Sequence, residues 1–244
     1  MAPRFFVPLD LAPATVGKTL DLPDGVVHHA TRVLRLSVGD ALALFNGAGG
    51  EYAVTITRID KRGVTVRIDR YDPVERESSL AITLAQAIAS SDAMDRAVRK
   101  ATELGVLAIQ PLVTGRSAAL PSGERSIKRV AHWRQVAIAA CEQCGRNRVP
   151  DIPEPRSFAD WLAEWRGSGI MLVPDARASL ASLAAPSPPL ALLIGPEGDW
   201  LPHEAAAASQ ARFATVRLGP RVMRVDTAVA VGLGAAQLLW GDLR

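Results

Sequence analysis

The sequence predicts an α/β protein in which a parallel sheet flanked by helices follows a small β-rich unit. Three observations lead to this prediction. After residue 80, short apolar runs alternate with amphipathic helical segments, which is typical of a parallel sheet covered by helices. The run Leu190–Ile194 has no polar alternation, as expected of a strand buried on both faces. Residues 1 to 72 instead contain strand-like segments separated by glycine turns.

Bulk composition permits a folded core and excludes several classes of protein. The 244 residues allow one or two domains, and 48% of them are hydrophobic. No apolar run is long enough to span a membrane, and the first residues lack the apolar segment of a signal peptide, so we expect a cytoplasmic protein with no membrane contact. The net charge is only +3, but residues 80–150 hold ten Lys and Arg against five Asp and Glu. This excess suits phosphate contacts and equally suits a solvated helix face.

The β-rich unit is expected to end at the boundary Tyr71-Asp72-Pro73. Its predicted strands are Ala41–Phe45, Tyr52–Ile59 and Val64–Ile68, with glycine turns between them. A helix over residues 24–36 would have an apolar side formed by Val26, Val27, Ala30, Val33 and Leu34. Arg32 and Arg35 would then point outward.

From residue 80 onward, the predicted elements alternate between strand and helix. They are a strand over 80–88, a helix capped by Ser91 or Asp92 and ended by Gly105, a strand over 106–112, a long helix from near Ser122, a short helix from Ser157, strands at Ile170–Val173 and Leu190–Ile194, a helix from near Leu201 and Pro202, a strand at Ala214–Leu218 and a helix over 227–240. The last helix is apolar nearly all round, so it must be covered on more than one side. Its small residues Ala228, Gly232 and Ala236 permit close approach of another helix, from a partner subunit or from the same one.

Two of these strands end in Gly-Pro turns. Gly195-Pro196-Glu197-Gly198 follows Leu190–Ile194, and Gly219-Pro220 with a basic loop follows Ala214–Leu218. At the carboxyl edge of one sheet, such loops lie where open α/β sheets bind ligands. Neither loop has the pattern GxGxxG or GxxxxGK[ST], so the sequence does not indicate a site for a dinucleotide or a nucleoside triphosphate. The pair predicts a ligand site lined by bare backbone.

The histidines and cysteines do not indicate a metal or redox site. His28 and His29 are adjacent on a predicted helix and point in different directions, and no ligand cluster completes a metal site. Cys141 and Cys144 form CxxC, but at the end of a helix rather than at its start, and a second pair for zinc is missing. We expect ordinary buried or half-buried thiols and no metal.

Several segments resemble one known family. IGPEG at 194–198 and LGPRVMRVDTA at 218–228 are similar to the IGPEGG and LGxRILRxETA motifs of the bacterial 16S ribosomal RNA (uracil-N3) methyltransferases, the RsmE type of the SPOUT superfamily. TGRS at 114–117, EQCGR at 142–146 and HHATRVLRLSVGD at 28–40 resemble further segments of that family. The resemblance implies a PUA-like RNA-binding β-barrel over residues 1–72 and a SPOUT methyltransferase domain with a deep trefoil knot over 73–244. It also implies a homodimer that uses S-adenosylmethionine to methylate N3 of a uridine in 16S ribosomal RNA or in the small ribosomal subunit.

The resemblance also assigns roles to residues. Cofactor contacts would come from Ile194, Gly195, Pro196, Glu197, Gly198, Leu218, Gly219, Val222, Met223 and Arg224. Arg221 or Arg224 would stabilise a developing anion, and the proton acceptor would be Glu197, Asp226 or Glu142, which the sequence does not rank. RNA contacts would come from Arg32, Arg35, Lys100, Arg116, Arg146 and Asn147.

Two departures from the family pattern leave alternatives open. Asp199 stands where the family has the second glycine of PEGG, and Asp226 stands where the family has a glutamate. Asp226 also suits a plain helix cap. The alternatives are a SPOUT methyltransferase with another RNA target, such as a ribose hydroxyl, and an RNA-binding protein with a degenerate cofactor site.

Overall fold

In the computed structural model, the described residues are 2–118 and 123–243. Ser122, where the long helix is expected to begin, lies outside them. The chain divides into two compact units. The first contains the chain up to Glu77 together with Cys141–Val149, and the second contains Ser78–Ala140 and the chain from Pro150 onward.

The described part of the first unit contains a five-stranded sheet. Its elements are β1 (Arg4–Phe6), β2 (Thr19–Asp21), α1 (Asp24–His28), β3 (Ala41–Phe45), β4 (Glu51–Asp60) and β5 (Gly63–Asp72). The strand order is β1-β3-β4-β5-β2, with β1 parallel to β3 and the other pairs antiparallel. Alternate residues of β4 and β5, among them Val54, Ile56, Val64 and Val66, fill the core.

The three strands predicted for this unit are confirmed, and β4 and β5 are longer than predicted. The short strands β1 and β2 were not predicted, because three residues are too few for a visible alternation. The prediction of a single helix over residues 24–36 is wrong. Helix α1 gives way to a π-helical turn over His29–Val33, and Arg35 takes a positive φ of 57°. The chain therefore turns away, and Val33 and Leu34 are 59% and 42% exposed.

The second unit alternates strands and helices, as predicted. Its elements are β6 (Ile82–Ala87), α2 (Ser91–Glu103), β7 (Ala108–Val113), α3 (Glu124–Cys144), β8 (Arg156–Ser157), α4 (Phe158–Glu164), β9 (Ser168–Leu172), β10 (Ala178–Ser179), β11 (Leu190–Ile194), α5 (Pro202–Gln210), β12 (Ala214–Arg217) and α6 (Val225–Trp240). The last residues of α3, Cys141–Cys144, belong to the first unit.

The strands of this unit form a parallel sheet of seven strands within the described residues, in the order β10-β12-β9-β11-β6-β7-β8. All five residues of the central strand β11 are buried, as its unbroken apolar run predicts. Ile194 at the end of β11 pairs with Gln86 near the end of β6. The sheet confirms the prediction of an α/β unit, and its carboxyl edge is the place where the Gly-Pro loops begin.

The structure bears on two helix predictions. The N-cap of α2 is Ser90 rather than Ser91 or Asp92, and its backbone N–H donates to the carboxylate of Glu197, a partner far along the chain. Gly232, in the small-residue row of α6, faces its own sheet, because a side chain there would meet the side chains of Leu172 and Leu192. At Gly232 the row therefore packs within the subunit, and the homodimer stays a prediction.

The opposite face of α6 is not covered by the described chain. Val231 and Leu238 on that face are 40% and 59% exposed, whereas Val229, Gly232 and Leu233 are buried. No helix among residues 2–118 and 123–243 is long and apolar enough to cross a membrane.

Candidate functional site

A pocket of about 610 Å³ opens at the carboxyl edge of the parallel sheet. Its walls are the residues that follow β9, β11 and β12, together with the first turns of α2 and α6. The volume is in the range of small-molecule sites. The two Gly-Pro loops predicted from sequence therefore meet at one cavity.

The first Gly-Pro loop, defined here as residues 195–201, is held by side chains from other elements. Gln86 Nε2 lies 3.3 Å from the carbonyl oxygens of both Ile194 and Gly195. Glu197 accepts the Ser90 backbone N–H at 2.9 Å, and Arg116 donates to the Gly198 carbonyl at 2.7 Å. These contacts within the protein fix the backbone of the loop.

Trp200 and Asp199 complete the first loop. The Trp200 indole N–H donates to the Leu172 carbonyl at 3.1 Å, and a Cβ added to Gly195 would lie 3.1 Å from that same indole nitrogen. Asp199 takes a φ of 59°, so this aspartate occupies a left-handed position that favours glycine. The turn tolerates the departure from PEGG because Asp is among the few side chains that adopt this conformation.

The second Gly-Pro loop, defined here as residues 218–224, is exposed. Gly219 has a φ of 75°, Val222 is 83% exposed, and Arg221 and Arg224 are exposed too. All four residues line the pocket. Buried Val225 then begins α6.

Two carboxylates of the pocket, those of Asp226 and Glu197, are each held by a nearby donor. Asp226 on α6 lies 3.0 Å from Arg96 Nε on α2. Burial alone would raise the pKa of Glu197, but the hydrogen bonds from Ser90 outweigh burial and lower that pKa. Glu197 is therefore ionised at neutral pH. The positive and negative groups are intermingled in the lining rather than segregated.

A model described as an RNA methyltransferase domain matches residues 76–237, and a model described as an RNA methyltransferase PUA domain matches residues 22–69. The chain belongs to this RNA methyltransferase family.

Individual members of the family cover nearly the whole chain. A ribosomal RNA small subunit methyltransferase E from Mycobacterium bovis is 31% identical over 86% of this chain and 83% of its own. A ribosomal RNA small subunit methyltransferase E from Neisseria gonorrhoeae, solved bound to S-adenosyl methionine, is 36% identical with complete coverage of both chains and a TM-score of 0.92. A Legionella pneumophila protein, solved in complex with its bound cofactor SAM, is 36% identical with complete coverage of both chains and a TM-score of 0.94.

The residues that the family resemblance assigns to the cofactor lie mostly in the pocket lining. Those in the lining are Ile194, Gly195, Pro196, Glu197, Leu218, Gly219, Val222, Met223 and Arg224. Arg221 and Asp226 lie there too. Gly198 instead packs under the side chain of Arg116.

The EQCGR segment of this protein, residues 142–146, lies in the first unit among buried and half-buried charged side chains. Arg146 is 4% exposed and pairs with Glu77, while Asn147 is fully buried and donates to the Val74 carbonyl at 2.8 Å. Glu142 accepts the Phe6 backbone N–H at 2.9 Å. Burial raises the pKa of the Glu142 carboxyl.

The remaining predicted residues have simpler surroundings. Arg32, Arg35 and Arg116 are exposed, and Lys100 on α2 is half-buried. Burial raises the pKa of the Cys141 thiol to about 12, so at neutral pH it is an ordinary buried thiol, as predicted. Among residues 2–118 and 123–243, no group of His, Cys, Asp and Glu is placed to hold a metal ion.

Sequence reasoning missed the residues that hold the site in place. Gln86, Arg96 and Glu204 bond to loop backbone or to a pocket carboxylate, yet none belongs to a recognised motif. Gln86 alone left a signal, since it is a polar residue inside the apolar run LAQAI.

Proposed function

We propose that this protein is an S-adenosylmethionine-dependent methyltransferase that methylates N3 of a uridine in the 16S RNA of the small ribosomal subunit. The observation that carries the proposal is the pocket formed by the two Gly-Pro loops in a chain of this family. The solved relatives with bound cofactor, each 36% identical over the full length, support it. The choice of uracil N3 rests on the motif pair IGPEG and LGPRVMRVDTA.

The pocket residues fit this cofactor. Apolar side chains of Ile194, Leu218 and Met223 offer a wall for the adenine ring, and the bare backbone of Gly195 and Gly219 offers hydrogen-bonding groups to its edge. The volume of about 610 Å³ accommodates a small molecule of this class. We therefore assign the cofactor contacts to the lining residues of both loops.

The chain must make uracil N3 a nucleophile. When bound, the cofactor supplies a methyl group that its sulfonium charge already activates. N3 keeps its proton at neutral pH, so the protein must help to remove that proton and must stabilise negative charge on the ring carbonyls. We assign the second task to Arg221 and Arg224, which are exposed in the pocket lining. Because base pairing occupies N3, the uridine must enter unpaired or flipped.

We propose that the proton acceptor is one of three carboxylates. Asp226 and Glu197 lie in the pocket lining, whereas Glu142 lies in the first unit, where it accepts the Phe6 backbone N–H, and is a candidate through the family resemblance alone. The substitutions Asp226→Asn, Glu197→Gln and Glu142→Gln separate them. The variant that lacks the base is expected to lose the rise of kcat with pH. The other two variants are expected to retain that rise.

We propose that RNA is held by exposed basic side chains, and that this work takes place in the cytoplasm. Arg32, Arg35, Arg116 and half-buried Lys100 remain candidates for direct phosphate contacts. Arg146 and Asn147 are buried, so we propose that they shape the first unit rather than contact RNA directly. Arg32→Ala with Arg35→Ala is expected to weaken RNA binding and reduce its salt dependence.

The finer architecture is also a proposal. We propose that residues 1–72 act as a PUA-like RNA-binding β-barrel and residues 73–244 as a SPOUT domain with a deep trefoil knot. The family models over 22–69 and 76–237 support this division. The exposed apolar face of α6, with Val231 and Leu238, supports a homodimer. Leu238→Glu is expected to yield monomers in sedimentation experiments.

A two-step experiment tests the activity. Calorimetric titration with S-adenosylmethionine is expected to give saturable binding that Val222→Glu weakens, because the substitution places a charge in an exposed part of the apolar lining. Ile127→Glu, at another exposed apolar position on α3, is the control. Methyl transfer to unmodified small-subunit RNA is then expected to yield 3-methyluridine by mass spectrometry. A methylated ribose would contradict the N3 assignment, and folded protein that binds no cofactor would contradict the methyltransferase.

A further inference from the structure

The first Gly-Pro loop and the 114–117 loop of the second unit hold each other through two side chains. Glu204, in the first turn of α5, accepts the Gly115 backbone N–H with Oε1 at 2.8 Å and the Leu201 N–H with Oε2 at 2.8 Å. In the other direction, Arg116 Nη1 donates to the Gly198 carbonyl at 2.7 Å. We call this set of contacts the clasp.

Each loop also presents a glycine to the side chain of the other. A Cβ added to Gly115 would overlap the end of the Leu201 side chain. A Cβ added to Gly198 would lie 3.3 Å from both Cβ and Cδ of Arg116, which is tighter than ordinary van der Waals contact. The two glycines therefore permit the close approach that both hydrogen bonds need.

The 114–117 loop is itself fixed, so it acts as a support. Ser117 Oγ accepts the Thr114 N–H at 3.0 Å, and the Ser117 N–H donates to the Thr114 carbonyl at 3.2 Å. The Ala118 N–H donates to the Ile88 carbonyl at 2.9 Å, which ties the loop to the residue after β6. The segment that the clasp restrains is therefore the first Gly-Pro loop.

The two side chains differ in strength. Glu204 is 5% exposed, and a buried carboxylate with two N–H donors forms strong, charge-assisted hydrogen bonds. Arg116 is exposed, so water competes for its guanidinium and its contribution is smaller. Glu204 is therefore the principal residue of the clasp.

We propose that Glu204 and Arg116 are positioning residues of the methyl-transfer site. The clasp holds residues 195–198 in their binding shape before the cofactor arrives, so binding does not have to order the loop. This inference rests on the proposed function, because it concerns the same pocket. It gives Arg116 a role within the protein in addition to the RNA contact that the family resemblance implies.

Calorimetric titration of the full-length protein with S-adenosylmethionine tests the clasp. Glu204→Gln replaces one acceptor oxygen by an amide donor, and its Kd is expected to rise about tenfold, whereas Arg116→Ala is expected to raise Kd about threefold. Arg116→Lys, which keeps a donor, is expected to recover part of that loss. Arg166→Ala is the matched control, because Arg166 is an exposed arginine that donates to the carbonyls of Ala163 and Trp165 away from the pocket.

Hydrogen exchange of residues 195–201 without cofactor supplies a second measurement. Faster exchange is expected in Glu204→Gln and Arg116→Ala, with protection restored by saturating cofactor. If the wild type binds no cofactor, the proposed function fails. If the wild type binds it and both variants bind within twofold of the wild type, only the clasp fails. Should Glu204→Gln not fold, the Arg116→Ala and Arg116→Lys pair decides by the same criterion.

Discussion

The two Gly-Pro loops share a sequence pattern but differ in their surroundings. Both follow parallel strands and line one pocket. Gln86, Arg116 and Ser90 each bond to the first loop or to the residue before it. Within the part of the chain that the structure describes, no hydrogen bond or ion pair holds the side chains of Arg221 or Arg224 in the second loop.

This difference indicates that the same Gly-Pro pattern serves two different tasks. A loop restrained from several sides presents the same backbone to every ligand, which favours tight and selective binding. A loop with exposed arginines instead leaves its charges available to a substrate that arrives later. Substitutions in the first loop should therefore change stability and cofactor affinity together, whereas removing the exposed arginine side chains of the second loop should change activity with little loss of stability.

The largest expected difference lies between the two glycines. Gly195→Val forces atoms against the Trp200 indole, so we expect the free energy of unfolding to fall by about 1–3 kcal/mol and cofactor affinity to fall at least about 100-fold. Gly219→Ala meets open space and bears only the cost of its φ of 75°, about 1 kcal/mol, with less than about a tenfold loss of affinity. Urea denaturation and calorimetry measure both quantities. Equal losses at the two sites would refute the contrast.

Buried glutamines give the next largest effect. Gln86 Nε2 donates to the Ala87 carbonyl and reaches Ile194 and Gly195, whereas Gln110 on the neighbouring strand β7 donates through Nε2 to the carbonyls of Pro111 and Glu154. Each substitution by Leu leaves buried carbonyls unpaired and should lower the free energy of unfolding by about 1–3 kcal/mol.

Only Gln86→Leu should also weaken cofactor binding, because only Gln86 reaches the start of the first loop. Thermal unfolding measures the shared loss of stability, and calorimetry measures the difference in affinity. An equal change in affinity for Gln86→Leu and Gln110→Leu would show that the tie to Ile194 and Gly195 has no special role.

The sequence predicted the strands and loops of the site better than the side chains that hold those loops in place. Unbroken apolar runs revealed β11, and Gly-Pro punctuation revealed both loops, because these patterns lie within a few neighbouring residues. The roles of Gln86 and Glu204 were not predicted, because their partners are backbone atoms of segments distant in the sequence. Every residue has such backbone atoms, so the sequence does not indicate which ones these side chains contact. The π-helical turn at His29–Val33 was missed for a related reason, since apolar spacing does not distinguish it from a continuing α-helix.

The arginines of the second loop should separate activity from stability. Arg221→Ala and Arg224→Ala remove exposed side chains, so the melting temperature should change by less than about 1 °C. If either guanidinium stabilises the developing anion, kcat should fall about 100-fold in that variant, by much more than any rise in its cofactor Kd. Arg166→Ala, measured in parallel, should retain full kcat. A large fall in melting temperature would mean that the second loop is restrained after all.

The smallest effect is a pH dependence confined to the first loop. The pKa of Glu197 lies below the usual glutamate value of 4.5, since the Ser90 hydrogen bonds outweigh burial. Its ionised form therefore stabilises the folded state above about pH 4.5, and this contribution is lost as the pH falls through the lowered pKa. Glu197→Gln should reduce the melting temperature by about 1 °C at neutral pH, a small amount because Glu197 is exposed. The gap between wild type and variant should close as the pH falls below 4.5. A gap that persists to pH 3 would mean that uncharged contacts hold Glu197, and the first loop would then owe its restraint to Gln86 and the clasp alone.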